Sequence, residues 1–184
     1  MKIRWSIILS ALFGTVFGGV SVGLATGLVG DLRQFQVQEV HAQLAVDGSD
    51  ERRLAGFADN VFRGRVVAKQ GQATHSTTDV PLTLWTVDVL SNFKGNLKGT
   101  ITVSQFGGYE PFSNTLKLME DDALLSVGSE YVLAVKFDAQ NNRYFIAPKF
   151  GDIKVPDGSA KSFTAVDNHW KDVVANEIPF EGPR

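Results

Sequence analysis

The stretch Leu82–Phe106 constrains this chain more than any other. Leu82-Thr83-Leu84-Trp85-Thr86-Val87-Asp88-Val89-Leu90 and Thr100-Ile101-Thr102-Val103-Ser104-Gln105-Phe106 are rich in β-branched and aromatic residues. Ser91–Gly99 between them is polar and carries Gly95 and Gly99. Two β-rich runs around a glycine-punctuated connector predict two antiparallel strands. In the first run Trp85, Val87 and Val89 fall on one face and Leu82, Leu84 and Leu90 on the other. Both faces are partly apolar, so this strand is expected to be central.

The other strand-like segments lie on either side of this pair. Asn60–Lys69 reads as the first strand, with Phe62 and Val66 inward and Arg63 and Arg65 on the wet face. Gly64 inside it marks a bulge or bend. Gln70–Val80 reads as a loop, and Tyr109–Gly128 as a crossover with a short helix or edge strand around Thr115–Met119. Glu130–Phe137 and Arg143–Ala147 flank the turn residues Asp138–Asn142, giving a hairpin. Phe150–Val155 adds a short sixth strand before Pro156-Asp157-Gly158. Thr164–Glu177 has Val166, Trp170, Val173 and Val174 at helical spacing, with Ser162 or Thr164 as its cap. Ser49 or Asp50 caps a short helix to about Phe57, and Asp31–Gly48 reads as a polar stalk. The expected fold is therefore mainly β: a small closed OB-like β-barrel of five to six strands with a C-terminal helix, preceded by an N-terminal hydrophobic helix. The expected divisions are 1–30, 31–57 and 58–184.

The N-terminus sets an address. Lys2 and Arg4 precede Trp5–Gly30, about 26 residues without a charge. As a helix this run would be roughly 39 Å long, against a hydrocarbon core of roughly 30 Å. Secretory apolar regions are shorter, about 7–15 residues. Length favours a single-pass signal anchor with the C-terminal domain outside the cell membrane. The alternative is a signal peptide cleaved near Ala42, where Val40-His41-Ala42 has small-residue spacing, leaving a secreted domain. Gly19, Gly23 and Gly27 are four apart and would line one helix face, a route to self-association. Past the apolar run 16 basic residues meet 20 acidic ones, so no basic excess favours nucleic acid. The absence of cysteine excludes disulfides, thiol catalysis and thiolate zinc sites.

Three segments carry a family resemblance. Ala58-Asp59-Asn60-Val61-Phe62-Arg63-Gly64-Arg65-Val66-Val67 resembles the opening strand of netrin-like domains, the group that includes tissue inhibitors of metalloproteinases. Thr86-Val87-Asp88-Val89-Leu90 followed by Phe93-Lys94-Gly95 is similar to their second strand and its lysine-glycine connector. Leu125-Ser126-Val127-Gly128-Ser129-Glu130-Tyr131-Val132-Leu133 is similar to their entry into the fourth strand. The resemblance covers roughly Ala58–Val155 and implies an OB-fold barrel of the cysteine-free bacterial type in an extracellular setting. Those inhibitors reach the protease zinc through an N-terminal cysteine, which this chain lacks, so that route of inhibition is not implied.

Motifs for chemistry are sparse. His41, His75 and His169 are far apart and have no second ligand at metal spacing. Glu120-Asp121-Asp122 lacks the alternation and glycine of a calcium loop. No glycine-flanked serine elbow or phosphate loop is present after the apolar run. No acid, base or nucleophile pair stands at motif spacing, so the chain reads as non-enzymatic, with no cofactor and no metal. What remains is a binding surface. Ligands of OB-folds lie across strands two and three and the adjoining loops. Here that region offers Trp85, Lys94 and Lys98 as ligand-binding candidates, with Thr102 and Ser104, and Tyr109 and Phe112 in the following loop. The competing reading places Trp85 in the core and Tyr109 and Phe112 as plugs at the barrel end. The expected function is an extracytoplasmic binding module, membrane-anchored or secreted, with a protein or cell-envelope polymer as partner. The alternative is a protease-inhibitor relative that works without cysteine.

Overall fold

The computed structural model describes residues 35–41, 46–74 and 80–182. The expected N-terminal hydrophobic helix, its Gly19, Gly23 and Gly27 face and the cleavage point near Ala42 lie outside these residues. Among the described residues no helix is long and apolar enough to cross a membrane.

Among the described residues nine strands and two helices follow in the order β1 (Gln36–Val40), α1 (Glu51–Phe57), β2 (Asn60–Thr74), β3 (Pro81–Lys94), β4 (Thr100–Phe106), β5 (Gly108–Glu110), β6 (Thr115–Met119), β7 (Glu130–Asp138), β8 (Arg143–Ile146), β9 (Asp152–Lys154) and α2 (Ala160–Ala175). Six strands form one sheet in the order β2-β3-β4-β8-β7-β9, and β7 also pairs with β2, so the sheet curls back on itself. It is not a uniform barrel. β4 and β8 share only two residue pairs, and β9 borders the same side of β7 that β8 leaves free. A second sheet of three strands, β1-β6-β5, is joined to it through the bridge Leu82↔Gly107.

This second sheet corrects two expectations. The segment read as a polar stalk contains β1, which pairs in parallel with β6 from Gln36↔Thr115 to Val40↔Met119. Thr115–Met119 is the middle strand of that sheet rather than an edge. Alternation along five mostly polar residues gives little local signal, so only the partner strand defines β1. The loop expected at Gln70–Val80 is also shorter than read. β2 and β3 remain paired out to Thr74↔Pro81, so the polar end of β2 is held by its ladder to β3.

The core explains why β2 departs from simple alternation. Its register against β3 shifts at Val61/Phe62, Arg63/Gly64, Val66/Ala68 and Lys69/Gly71. Val61 and Phe62 are both fully buried, but in different clusters. Val61 packs with Leu54, Ala55, Trp170 and Val173 of the two helices. Phe62 packs with Trp85, Val87, Val103 and Leu125 inside the curled sheet. β7 behaves in the same way: Val132 and Ala134 face the helices, and Tyr131, Leu133 and Val135 face the interior. β2 and β7 therefore form a wall that is buried on both sides. Gly64 is required in that wall, because a Cβ there would lie 2.6 Å from Val87 Cγ1.

The helices follow local chemistry. Asp50 caps α1, its Oδ1 accepting from Arg52 N at 3.0 Å. α2 starts four residues before the expected Thr164, and the residues proposed as its cap lie inside it. Thr164 Oγ1 instead donates back to Ala160 O at 3.0 Å. Trp170 and Val173 bury the inner stripe of α2, as their spacing predicts.

Candidate functional site

The outward face of β3 and β4 is the most organised polar surface. Antiparallel register sets Leu84 beside Ser104, Thr86 beside Thr102 and Asp88 beside Thr100. Residues opposite each other in a ladder share a face, so this row is turned away from Trp85, Val87 and Val103, which fill the interior; Ser104 within it is fully covered, its Oγ donating to Tyr144 O at 3.3 Å. Thr100 Oγ1 donates to Asp88 Oδ1 at 2.6 Å. Gln70 Nε2 on β2 donates to Thr102 Oγ1 at 3.2 Å, extending the row by one strand. At the far end of β4, Phe106 and Phe145 meet edge to face with centroids 5.8 Å apart. The connector before β4 carries the exposed Lys98. Hydroxyl, amide and carboxylate groups in a line, closed by two aromatic rings, can hydrogen-bond an extended polar chain and stack one of its units.

The five residues singled out from sequence do not form one site. Trp85 is only 4% exposed, and its indole N–H donates to Gln105 Oε1 at 3.2 Å. That burial removes its ring from the outer face. Lys94 Nζ donates to Ala55 O at 2.8 Å and pairs with Glu177 at 2.7 Å, tying β3 to the end of α1 and to the chain after α2. Lys98 stands at the start of β4, while Tyr109 and Phe112 lie beyond its end on the three-stranded sheet. Seven residues of strand separate them by roughly 20 Å. Tyr109 Oη donates to Asn114 Oδ1 at 2.7 Å. Phe112 at the β5–β6 turn is fully exposed and plugs nothing.

Two polar clusters are absent from the sequence reading. Gln105 lies inside the curled sheet and uses its whole amide. Its Oε1 accepts from Trp85 and from Leu125 N at 3.0 Å, and its Nε2 donates to Ala123 O at 2.9 Å and Asp152 Oδ2 at 2.7 Å. Burial, reinforced by the charge of Asp122, pushes the Asp152 carboxyl up to about 8. Burial raises Asp122 as well. Thr83↔Gln105 pairing puts this amide on the Trp85 face, and strict alternation from Trp85 through Val103 was the available signal. The second cluster centres on Arg63, whose side chain is only 12% exposed. It binds Glu130 at 2.7 Å and Asp167 at 2.8 Å, and its guanidinium lies 5.0 Å from the centre of the Phe163 ring. Arg63 was expected in water; it does alternate with Phe62 onto the outer face beside Val61, but α2 covers that face. Arg65, more exposed, reaches the other oxygen of Glu130 at 2.7 Å.

The remaining titratable residues disperse. Glu120 binds His41, Asp121 binds Lys149, and Asp122 accepts from Ala123 N, so the acidic run points three ways. His169 Nε2 meets Glu51 at 2.7 Å, linking α2 to α1. Among the described residues no three His, Cys, Asp or Glu side chains gather as a metal site. Compared with protein-family models and with curated proteins, the chain finds no match.

Proposed function

We propose that the chain is an extracytoplasmic OB-like binding module, membrane-anchored or secreted, that holds a protein or cell-envelope polymer along the outer face of β3 and β4. The observation that carries this reading is the strand pairing. β2 pairs with both β3 and β7, and β4 pairs in parallel with β8. That order returns on itself as a five-stranded OB barrel does, with β9 as an addition, and ligands of such barrels cross the face made here by β3 and β4. The row Gln70, Thr102, Thr86, Asp88 and Thr100 supplies hydrogen-bonding groups at strand spacing, which suits an extended polar ligand.

The test is retention on cell-wall material and on solubilised envelope proteins of the source organism. Thr102→Glu puts a second carboxylate in the middle of the row, and Phe145→Ala removes half of the ring pair. Both are expected to reduce retention at least tenfold while circular dichroism stays native. Phe112→Ala, off this face, is expected to retain like the parent. Full retention by Thr102→Glu rules out the β3–β4 face.

A further inference from the structure

We infer that the outward face of the β1–β6–β5 sheet rests in the lipid–water interface of the membrane, with Phe112 as its inserted tip. The inference rests on the membrane-anchored form of the function proposed above. Register places Val37, Leu116 and Tyr109 in one cross-strand row. Phe35 lies two residues before Val37, and Phe112 projects from the turn between β5 and β6. Phe35, Val37, Tyr109 and Phe112 are four of the eight large hydrophobic side chains exposed among the described residues. The opposite face of the same sheet is turned inward, with Thr115 and Met119 buried and Lys117 paired to Glu110 at 3.3 Å. The sheet thus has one face committed to the protein and one face in water that is apolar except for Glu39. A concentration of exposed apolar side chains of this kind marks a contact surface.

The length of chain before β1 selects the occupant. Phe35 follows Gly30, the last residue of the uncharged run, by five residues. Five residues reach at most about 18 Å. The headgroup layer on each side of the hydrocarbon is itself roughly 6 Å thick. If Trp5–Gly30 spans the bilayer, β1 cannot leave the neighbourhood of the surface. Aromatic rings with a polar edge favour that depth, and Tyr109 has its hydroxyl engaged by Asn114 beside its exposed ring. Glu39 lies on this face beside Leu118, so uncharged headgroups suit it better than anionic ones.

The chain has no cysteine, so one introduced thiol labels a single place. Full-length Ser113→Cys, beside Phe112, and Lys98→Cys, at the start of β4, are labelled with an environment-sensitive dye and reconstituted in phosphatidylcholine vesicles. Flotation reads attachment, and spin-labelled lipid reads depth. The dye at position 113 is expected to be quenched at least threefold more than that at 98. Adding Phe112→Asp is expected to abolish the difference. Flotation with both dyes equally in water overturns the inference and leaves the anchored reading standing. Quenching at 113 that Phe112→Asp does not change also overturns it. A chain that fails to float overturns the anchored reading itself, and the inference with it.

Discussion

Gln105 shows how one side chain can organise the end of a small β structure. Four hydrogen bonds from a single amide join β4 to the Trp85 indole, to the backbone of the 123–125 segment and to Asp152 at the start of β9. A buried amide that uses all of its groups stabilises, whereas the partners it would leave behind are costly. Gln105→Ala orphans the Trp85 and Leu125 N–H groups and opens a void beside Leu125. We expect a loss of about 2–4 kcal/mol, read as a lowered urea midpoint with unchanged slope. A polar residue in an inward register position is visible in the sequence. What it bonds is not, because Ala123 and Asp152 reach it only through tertiary packing. By contrast, the cap of α1 at Asp50 and the bounds of β4 were legible, since both depend on neighbours in the chain.

At the scale of elements, Arg63 fastens α2 to the wall. It draws together β2, Glu130 at the start of β7 and Asp167 in α2, and Phe163 stacks against it. Arg63→Ala would strip the part-buried Asp167 of its ion pair and leave Glu130 with Arg65 alone. The cost of breaking such a pair is about 3–5 kcal/mol. The expected outcome is early exposure of α2, seen as faster amide exchange over 160–175 before the strands open. Arg63→Met, which keeps the stem against Phe163, is expected to lose less once Asp167→Asn is added. Periodicity set Arg63 opposite Phe62 correctly, but it gave that face to water because strand alternation does not reveal that α2 covers it. Four register shifts against β3 also interrupt β2, and glycines mark two of them in the sequence, at Gly64 and Gly71. The β1–β6 pairing was illegible for a different reason: parallel partners 79 residues apart carry no shared local pattern.

For the whole molecule, two carboxyl groups pull stability in opposite directions with pH. Burial raises Asp167, but the hydrogen bonds and charge of Arg63 outweigh it and hold the carboxyl below its ordinary 3.8. Its contribution is present above that value and disappears as the pH falls through the lowered one. Asp152 is the reverse. Its carboxyl titrates near 8 in the fold against 3.8 in the open chain, so the unfolded state binds fewer protons between them. Stability then declines as pH rises from about 4 to about 8 and levels off above, with Asp122 acting in the same sense. Thermal unfolding is therefore expected to peak on the mildly acidic side. Asp152→Asn, which still accepts from Gln105, should flatten the decline and melt higher than the parent at pH 8. A parent whose melting temperature is constant from pH 5 to 8 would contradict this. The mainly β composition and the terminal helix were readable from pattern alone. The second sheet and the double-sided wall were not, because each depends on which strands meet.

The edge position of β1 has a mechanical consequence. Its five residues are held on one side only, by β6, and its side chains are almost all in water. A load applied to the chain ahead of Phe35 meets this ladder first, while α1 and the wall behind it are secured by the buried helix cluster. Peeling β1 away would free the seven residues 35–41, up to about 25 Å of reach, without unfolding the sheet that carries the β3–β4 face. The strand would act as a fuse, yielding slack under tension and rewinding when the tension is released.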